Sequence, residues 1–375
     1  MKVLYLGHYK EGTGWAKAAT DAILAMDRVG IEVVPRHINL TGIEYEVPSS
    51  IEKLEKNTVA GAEYCIQHLL PHHLVGTDRF KKNIARFEGE TLNIKMQPWV
   101  VHLEQMDEVW VPNSQSWSSL IEDRVFVKEG IKVIPHPSDM VKFFGPSTQS
   151  IDIPNINETF KFYYIGDLNE RKNLISVIKC FHSEFESHEN VSLIIKVKKF
   201  GQAAADTVNQ VNSICSAVKH RLRMYGKDNY YRPEVVIGDD LPEDGIKSLH
   251  QYGDCFVCPS HGEAWSIPSF EAMAYGKTPI CSNFGGPVDF IDAEDKNTGT
   301  LVDGQLAICD CPDAAFPEIL TGRELWFNPS EVGIKSAMRY YYENRNSIDR
   351  KAGLRKAKEF SYESVGEKIK ELLNV

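Results

Sequence analysis

Residues Ser260 to Gly286 read SHGEAWSIPSFEAMAYGKTPICSNFGG. The apolar run that leads into them, DCFVCPS, has the length and residue types of a strand. The chain then turns at Gly262 and enters a helix with Ser266 as its cap and Pro268 in its first turn. The first amides of a helix have no intrahelical acceptor, so this N-terminus is suited to an anion. Glu263 lies on the loop just before the helix and Glu271 in its first turns, so both carboxylates reach one ligand from the same mouth. Carboxylates accept paired hydrogen bonds from vicinal sugar hydroxyls, while helix amides hold phosphate between them. The stretch suits a polyhydroxylated, phosphorylated ligand; the plainer alternative is a capped helix with two solvated carboxylates.

Outward from this stretch, short Val/Ile/Leu/Tyr-rich runs alternate with longer amphipathic ones, the pattern of βαβ units and parallel sheets. VLYLG (Val3 to Gly7) leads through a Gly-containing loop to the helical pattern WAKAATDAILAMDRVG, which Gly30 closes as a C-cap, and IEVVP follows as a second strand. DEVWVP and IKVIP flank a helical stretch that starts near Asn113 or Ser114. FFGPSTQSIDIPNINETF (Phe143 to Phe160) is rich in Pro, Ser and Asn and has neither periodicity, as a linker should, with a boundary near residue 150. The alternation then restarts with FKFYYIG, a helix from about Asn173, VSLIIKVKK, a polar helix through the 210s, EVVIGD, DCFVCPS and TPICSN. SEVGIKSAMRYYYENRNS and SYESVGEKIKELL close the chain as amphipathic helices with no strand after them. The expected fold class is α/β, with two Rossmann-like doubly wound domains over 1–145 and 158–345. The carboxyl ends of the two sheets are expected to face one interdomain cleft, where ligands of such sheets bind.

The 375 residues are 42% hydrophobic, 10% aromatic and 25% charged, which excludes disorder for most of the chain. Lys plus Arg is 42 against 52 Asp plus Glu, a formal charge of −10, which disfavours a long phosphate-tracking groove but leaves room for a local basic pocket. The start, MKVLYLGHYKEG, lacks the long apolar region of a signal and reads as a first strand. No run reaches the roughly 18 to 20 apolar residues of a membrane span. The eight cysteines, at 65, 180, 215, 255, 258, 281, 309 and 311, are read as reduced thiols, which implies a cytoplasmic setting. Cys255 and Cys258, three apart on a strand, point to opposite faces and cannot share a metal, and Cys309 and Cys311 lack two further ligands at suitable spacing.

GEAWSIPSFEAMAYGKTPI, Gly262 to Ile280, resembles the E-x7-E signature of retaining glycosyltransferases with the GT-B fold, family 4 or glycosyl transferases group 1. It keeps both glutamates, Trp265, Pro268, the EAMA run and the spacing to Gly285 and Gly286, while Ala264 and Ser266 stand where glycine is usual. By this resemblance Glu271 holds the ribose hydroxyls of a nucleotide sugar, Glu263 the donor sugar, and the backbone around Ser266 and Ile267 the pyrophosphate. YIGDLNERKN, Tyr164 to Asn173, resembles the family's strand-end segment. It implies that Arg171 and Lys172, after Gly166, neutralise the leaving diphosphate and do the work a metal does in other transferases. Lys196 and Lys198, at the end of the next strand, either add to that pocket or are surface lysines.

MDEVWVPNSQSWSSLI and VIPHPSD also resemble family segments, with Pro137 and Ser138 replacing the common Gly and Val, and are mostly architecture. In GHYKEGTGW, Gly7 to Trp15, Gly12 and Gly14 are the positions where such enzymes bring backbone against the donor phosphates. RFEGETLN, Arg86 to Asn93, lies where relatives contact the acceptor, which implicates Glu88 and Glu90. His102 is either a further acceptor contact or a helix-face residue packed beneath MDEVWVP, and His72 and His73 are equally open. The tail resembles the family's ending, in which a terminal helix, here about 358–375, crosses back to the first domain.

The resemblance implies a metal-independent, retaining transferase that moves a sugar from a UDP- or GDP-linked donor to a hydroxyl of a glycan, lipid, protein or small molecule. It needs no cofactor beyond that donor. A glycosyltransferase acting on modified DNA bases and an inactive sugar-nucleotide-binding protein are the alternatives; the net charge disfavours the first.

Overall fold

The computed structural model describes all residues except 150, 152, 154, 311–318 and 375. Cys311, read from sequence as a thiol without a metal, lies outside the described residues, as does the last residue of the expected terminal helix. The chain forms two units, Met1–Lys142 with Ala357–Val375, and Phe143–Lys356.

The first unit is built on a parallel six-stranded sheet: β1 (Lys2–Gly7), β2 (Glu32–His37), β3 (Tyr64–His68), β4 (Lys82–Arg86), β5 (Glu108–Val111) and β6 (Ile131–Val133), in the order β2-β1-β3-β4-β5-β6. The helix Gly14–Arg28 starts where Thr13 Oγ1 accepts from the Ala16 amide at 3.1 Å. It ends at Gly30, whose φ of +81° lets the Gly30 and Ile31 amides bond back to Asp27 and Met26. Asn113 caps the helix Ser114–Glu122 in the same way, accepting from the Ser116 amide at 2.7 Å. β3 escapes a reading of the sequence because its five residues end in Gln67 and His68, which break the apolar run.

The helix Tyr362–Leu373, capped by Ser361, also belongs to this unit. Its Val365, Ile369 and Leu373 bury into the same core as Val3, Ile23 and Met26. Tyr362 donates to Asp21, and Lys370 Nζ to the Val29 carbonyl at 2.8 Å. The approach is close enough that a Cβ on Gly366 would collide with the Ala25 carbonyl.

The second unit's sheet comprises β7 (Phe160–Asp167), β8 (Val191–Lys198), β9 (Glu234–Ile237), β10 (Cys255–Cys258), β11 (Ile280–Ser282) and β12 (Thr300–Val302), ordered β12-β11-β10-β7-β8-β9 and all parallel. Its central strands are largely apolar and divide their side chains between two cores. Phe162, Tyr164, Cys255 and Val257 enter one core; Tyr163, Phe256 and Cys258 enter the other. Cys255 and Cys258 therefore sit on opposite faces. An antiparallel pair, β13 (Gly304–Ile308) and β14 (Leu325–Pro329), follows. Sequence reading anticipates neither it nor the three-residue β12, since such short runs carry no clear period.

The Pro- and Ser-rich segment read as a linker joins the second unit from Phe143 onward. Phe143 packs edge-on against Tyr275, and Ser147 and Thr148 bond Asp244. The terminal helix offers a direct test of its packing. Gly366→Val should force it off the helix Gly14–Arg28, lowering the thermal midpoint and raising protease sensitivity after Ala357. A variant as stable and resistant as the parent would contradict this account of Gly366.

Candidate functional site

In the second unit the chain winds from β7 to β8 and β9 on one side, then returns to build β10, β11 and β12 on the other. The loops after β7 and β10 therefore leave at the topological switch point, where open α/β sheets bind ligands. Asn173, at a φ of +53°, donates from Nδ2 to the Pro259 carbonyl at 2.9 Å. The His261 amide donates to the Arg171 carbonyl at 2.8 Å, and Arg171 Nη1 to the Gly262 carbonyl at 2.6 Å. Three hydrogen bonds thus stitch the two loops together.

Glu263 enters this seam. Its Oε1 lies 2.6 Å from Lys172 Nζ and 3.2 Å from Arg171 Nη1. Burial by itself pushes its carboxyl up, but the charges of Lys172 and Arg171 and hydrogen bonds from Lys172 and Ser260 outweigh it and hold the group below its ordinary value. The Glu263 backbone is fixed as well, its carbonyl accepting from the Gly286 amide at 2.9 Å. A Cβ on Gly285 would collide with that same carbonyl, and one on Gly286 with the Trp265 backbone. The two glycines are the only residue type that lets the turn after β11 close on this loop.

Ser266 stands at the start of the helix Ile267–Ala274, but its side chain does not cap it. Its φ of +68° turns the hydroxyl toward Ser269, at 2.7 Å between oxygens. A non-glycine residue in the left-handed region costs about 1 kcal/mol, so the expected cap is here a strained hinge into the helix. Ile267 is the first helical residue. Glu271 is buried on the same helix, its Oε2 3.6 Å from Nε2 of His250 on the helix Glu243–Tyr252. Sequence reasoning missed His250, a lone histidine in a polar helix with no motif around it.

Gly166 owes its size to packing, because a Cβ there would overlap the Tyr164 hydroxyl. Lys196 is buried and donates to the Val197 carbonyl at 3.3 Å, its ammonium pushed down by burial, while Lys198 is exposed.

In the first unit the reversal falls between β1 and β3. The carboxyl ends of these strands and the segments after them gather His8, Trp15, His68 and His73, with ring centroids 6.0 Å apart for His8 and Trp15, 5.6 Å for Trp15 and His68, and 6.4 Å for His8 and His73. Gly12 has a φ of +64° with the Tyr45 ring where a side chain would stand, and Gly14 opens the helix with nothing near its Cβ position.

Glu88 is a buried hub. Its carboxylate lies 3.0 Å from His68 Nε2, 3.2 Å from Arg86 Nε and 2.8 Å from His136 Nε2, while His68 Nδ1 shares a hydrogen bond of 2.8 Å with the Tyr5 hydroxyl. Burial opposes its ionisation, yet His136, His68 and Arg86 hold it well below the ordinary carboxylate value. Glu90 is half-buried. His102 sets its Nδ1 3.2 Å from the Leu74 carbonyl, packing its helix against the turn Pro71–His73. His68 and His136 escaped sequence reasoning because they reach Glu88 through the pairing of β3 with β4 and through the loop after β6, and Arg86, two residues before Glu88, stood in the segment with no role assigned. Among the described residues no group of three or more His, Cys, Asp or Glu is placed to hold a metal ion, and no helix is long and apolar enough to cross a membrane.

The lowered carboxyl of Glu263 fixes a sign. Its ion pairs stabilise the fold above the unfolded value of 4.5 and are lost as pH falls through the lower folded value. Glu263→Gln should therefore cost about 3 kcal/mol at pH 7. The gap to the parent should narrow as the pH is taken toward 3, read as thermal midpoints; a pH-independent gap would count against the ion pairs.

Residues 216–308 match the family model described as glycosyl transferases group 1. Over 170 residues, 44% of this chain, the sequence is 26% identical to sucrose-phosphate synthase from Spinacia oleracea, and the match spans only 15% of that protein's length. Among solved structures, sucrose-phosphate synthase from Thermosynechococcus elongatus superposes with a TM-score of 0.67 at 14% identity, covering 100% of this chain and 98% of its own. HepE of Anabaena in complex with UDP and glucose gives 0.65 at 13% identity, covering 100% and 99%. The chain thus has the GT-B fold, and within its second unit residues 216–308 match glycosyl transferases group 1.

Proposed function

We propose that this protein is a retaining glycosyltransferase that moves a sugar from a nucleoside-diphosphate sugar to an acceptor hydroxyl, without a metal. The observation that carries the reading is Glu263 held between Lys172 and Arg171 at the switch point, at the entrance to the helix Ile267–Ala274. Two cations against one carboxylate leave a local charge of one positive unit, matched to an anion brought in by a ligand. HepE, one of the proteins similar in fold, was solved with UDP and glucose, which supports a UDP-linked donor.

In this reading Glu271 accepts the ribose hydroxyls and the amides around Ser266 and Ile267 hold the pyrophosphate. Glu263 binds the sugar hydroxyls, and the backbone at Gly12, Gly14 and Gly166 lies along the donor. Arg171 and Lys172 stabilise the charge that grows on the diphosphate as the bond from the anomeric carbon to its phosphate oxygen breaks. The acceptor oxygen forms the new bond on the same face, and its proton passes to the departing phosphate oxygen. The acceptor falls to the first unit, with Glu90 and His102 as its contacts and Glu88 orienting the histidines around it.

A panel of UDP- and GDP-linked sugars, followed by thermal shift and by slow donor hydrolysis, tests the reading. One donor should stabilise the parent and be hydrolysed. Arg171→Ala should lower kcat by about 10²-fold or more, and Glu271→Gln should raise KM by about tenfold. An Arg171→Ala protein with the parent rate would refute the assignment, and donor binding with no turnover would make the protein a sugar-nucleotide binder.

A further inference from the structure

We propose that His250 is a positioning residue, whose ring N–H orients the Glu271 carboxylate toward the ribose of a bound nucleotide. The inference rests on the ribose-binding reading of Glu271 and adds what holds that carboxylate in place.

His250 has no solvent exposure, and three neighbours determine its ring. The Tyr163 hydroxyl lies 2.9 Å from its Nδ1. Tyr275, one helical turn beyond Glu271, stacks on its face with centroids 5.3 Å apart and planes 23° apart. Phe256 closes the apolar side, 5.1 Å from the Tyr163 ring and 6.1 Å from that of His250. Room for Tyr163 is made by Gly253, since a Cβ there would overlap its ring.

Burial pushes the Tyr163 phenol well above its ordinary value, so it keeps its proton. The acceptor oxygen Oε2 of Glu271 facing Nε2 favours the tautomer that carries the ring's hydrogen there, and in that tautomer the phenol donates to Nδ1. At 3.6 Å this is wider than a formed hydrogen bond, and a small rotation of the carboxylate closes it. Site hydrogen bonds of this kind tighten when the ligand arrives. With one oxygen steadied by His250, the other is presented to the sugar hydroxyls in one orientation. A residue needed only to fill this space would not require a ring nitrogen on the carboxylate side.

The test measures dissociation constants by calorimetry for UDP and GDP, each in its ribose and 2′-deoxyribose forms, with thermal midpoints to confirm folding. The parent should prefer the ribose form of one nucleotide by about tenfold, the scale of a hydrogen bond to a charged group. Glu271→Gln should abolish that preference. His250→Phe should reduce it about threefold or more while leaving the 2′-deoxy constant unchanged, and His250→Gln, whose amide can place an N–H where Nε2 stands, should restore it to within about twofold. Tyr163→Phe, which releases the tautomer, should also reduce it and serves where His250→Phe does not fold. A preference lost in Glu271→Gln but kept in His250→Phe or Tyr163→Phe would overturn the role of His250 alone. A preference kept in Glu271→Gln, or a parent with no preference or no binding, would overturn the ribose reading and this inference with it.

Discussion

A carboxylate taken out of water must be met by positive charge, and the second unit is organised around meeting that demand for Glu263. The requirement reaches well beyond the ion pair. Lys172 and Arg171 can face Glu263 only because Asn173 and His261 hold the loops after β7 and β10 together. The Glu263 backbone can lie where it does only because Gly285 and Gly286 allow the next turn to approach. The same loop then passes through a left-handed Ser266 into the helix that carries Glu271. Motif residues some twenty positions apart in sequence are thus members of one steric and electrostatic arrangement, and this is why their spacing is so restrictive.

The first unit solves the same physical problem with different residues. Glu88 is ionised between Arg86, His68 and His136, and the Tyr5 hydroxyl supports the outer side of His68. With both oxygens engaged, Glu88 differs from the free acceptor contact that its place in RFEGETLN suggests, and resembles a fixed point around which histidines are oriented. Glu90, two residues on, is half-buried.

The α/β class, the two doubly wound units and the carboxylates and cations of the second unit are legible in the sequence because each rests on local information. Apolar periodicity marks β1, β7 and β8, Asn113 marks a helix start, and the run from Gly262 to Gly286 holds its partners within one segment. What was not legible depends on register between distant strands. His250 meets Glu271 through the packing of two helices, and His68 meets Glu88 because β3 and β4 pair side by side. Ser266 was legible in type but not in role, since the sequence favours it as a cap while the backbone turns its hydroxyl toward Ser269.

The helix Tyr362–Leu373 completes the core of the first unit although 214 residues, Phe143–Lys356, separate the two parts of that unit along the chain. During synthesis the second unit is a continuous segment that can fold as soon as it emerges, whereas the first must wait with Val3, Ile23 and Met26 incompletely covered until the last helix is made. The unit that begins first is thus the one whose core is completed last. Until then a folded second unit is attached to a first unit with an open apolar face, and such a face is prone to aggregation.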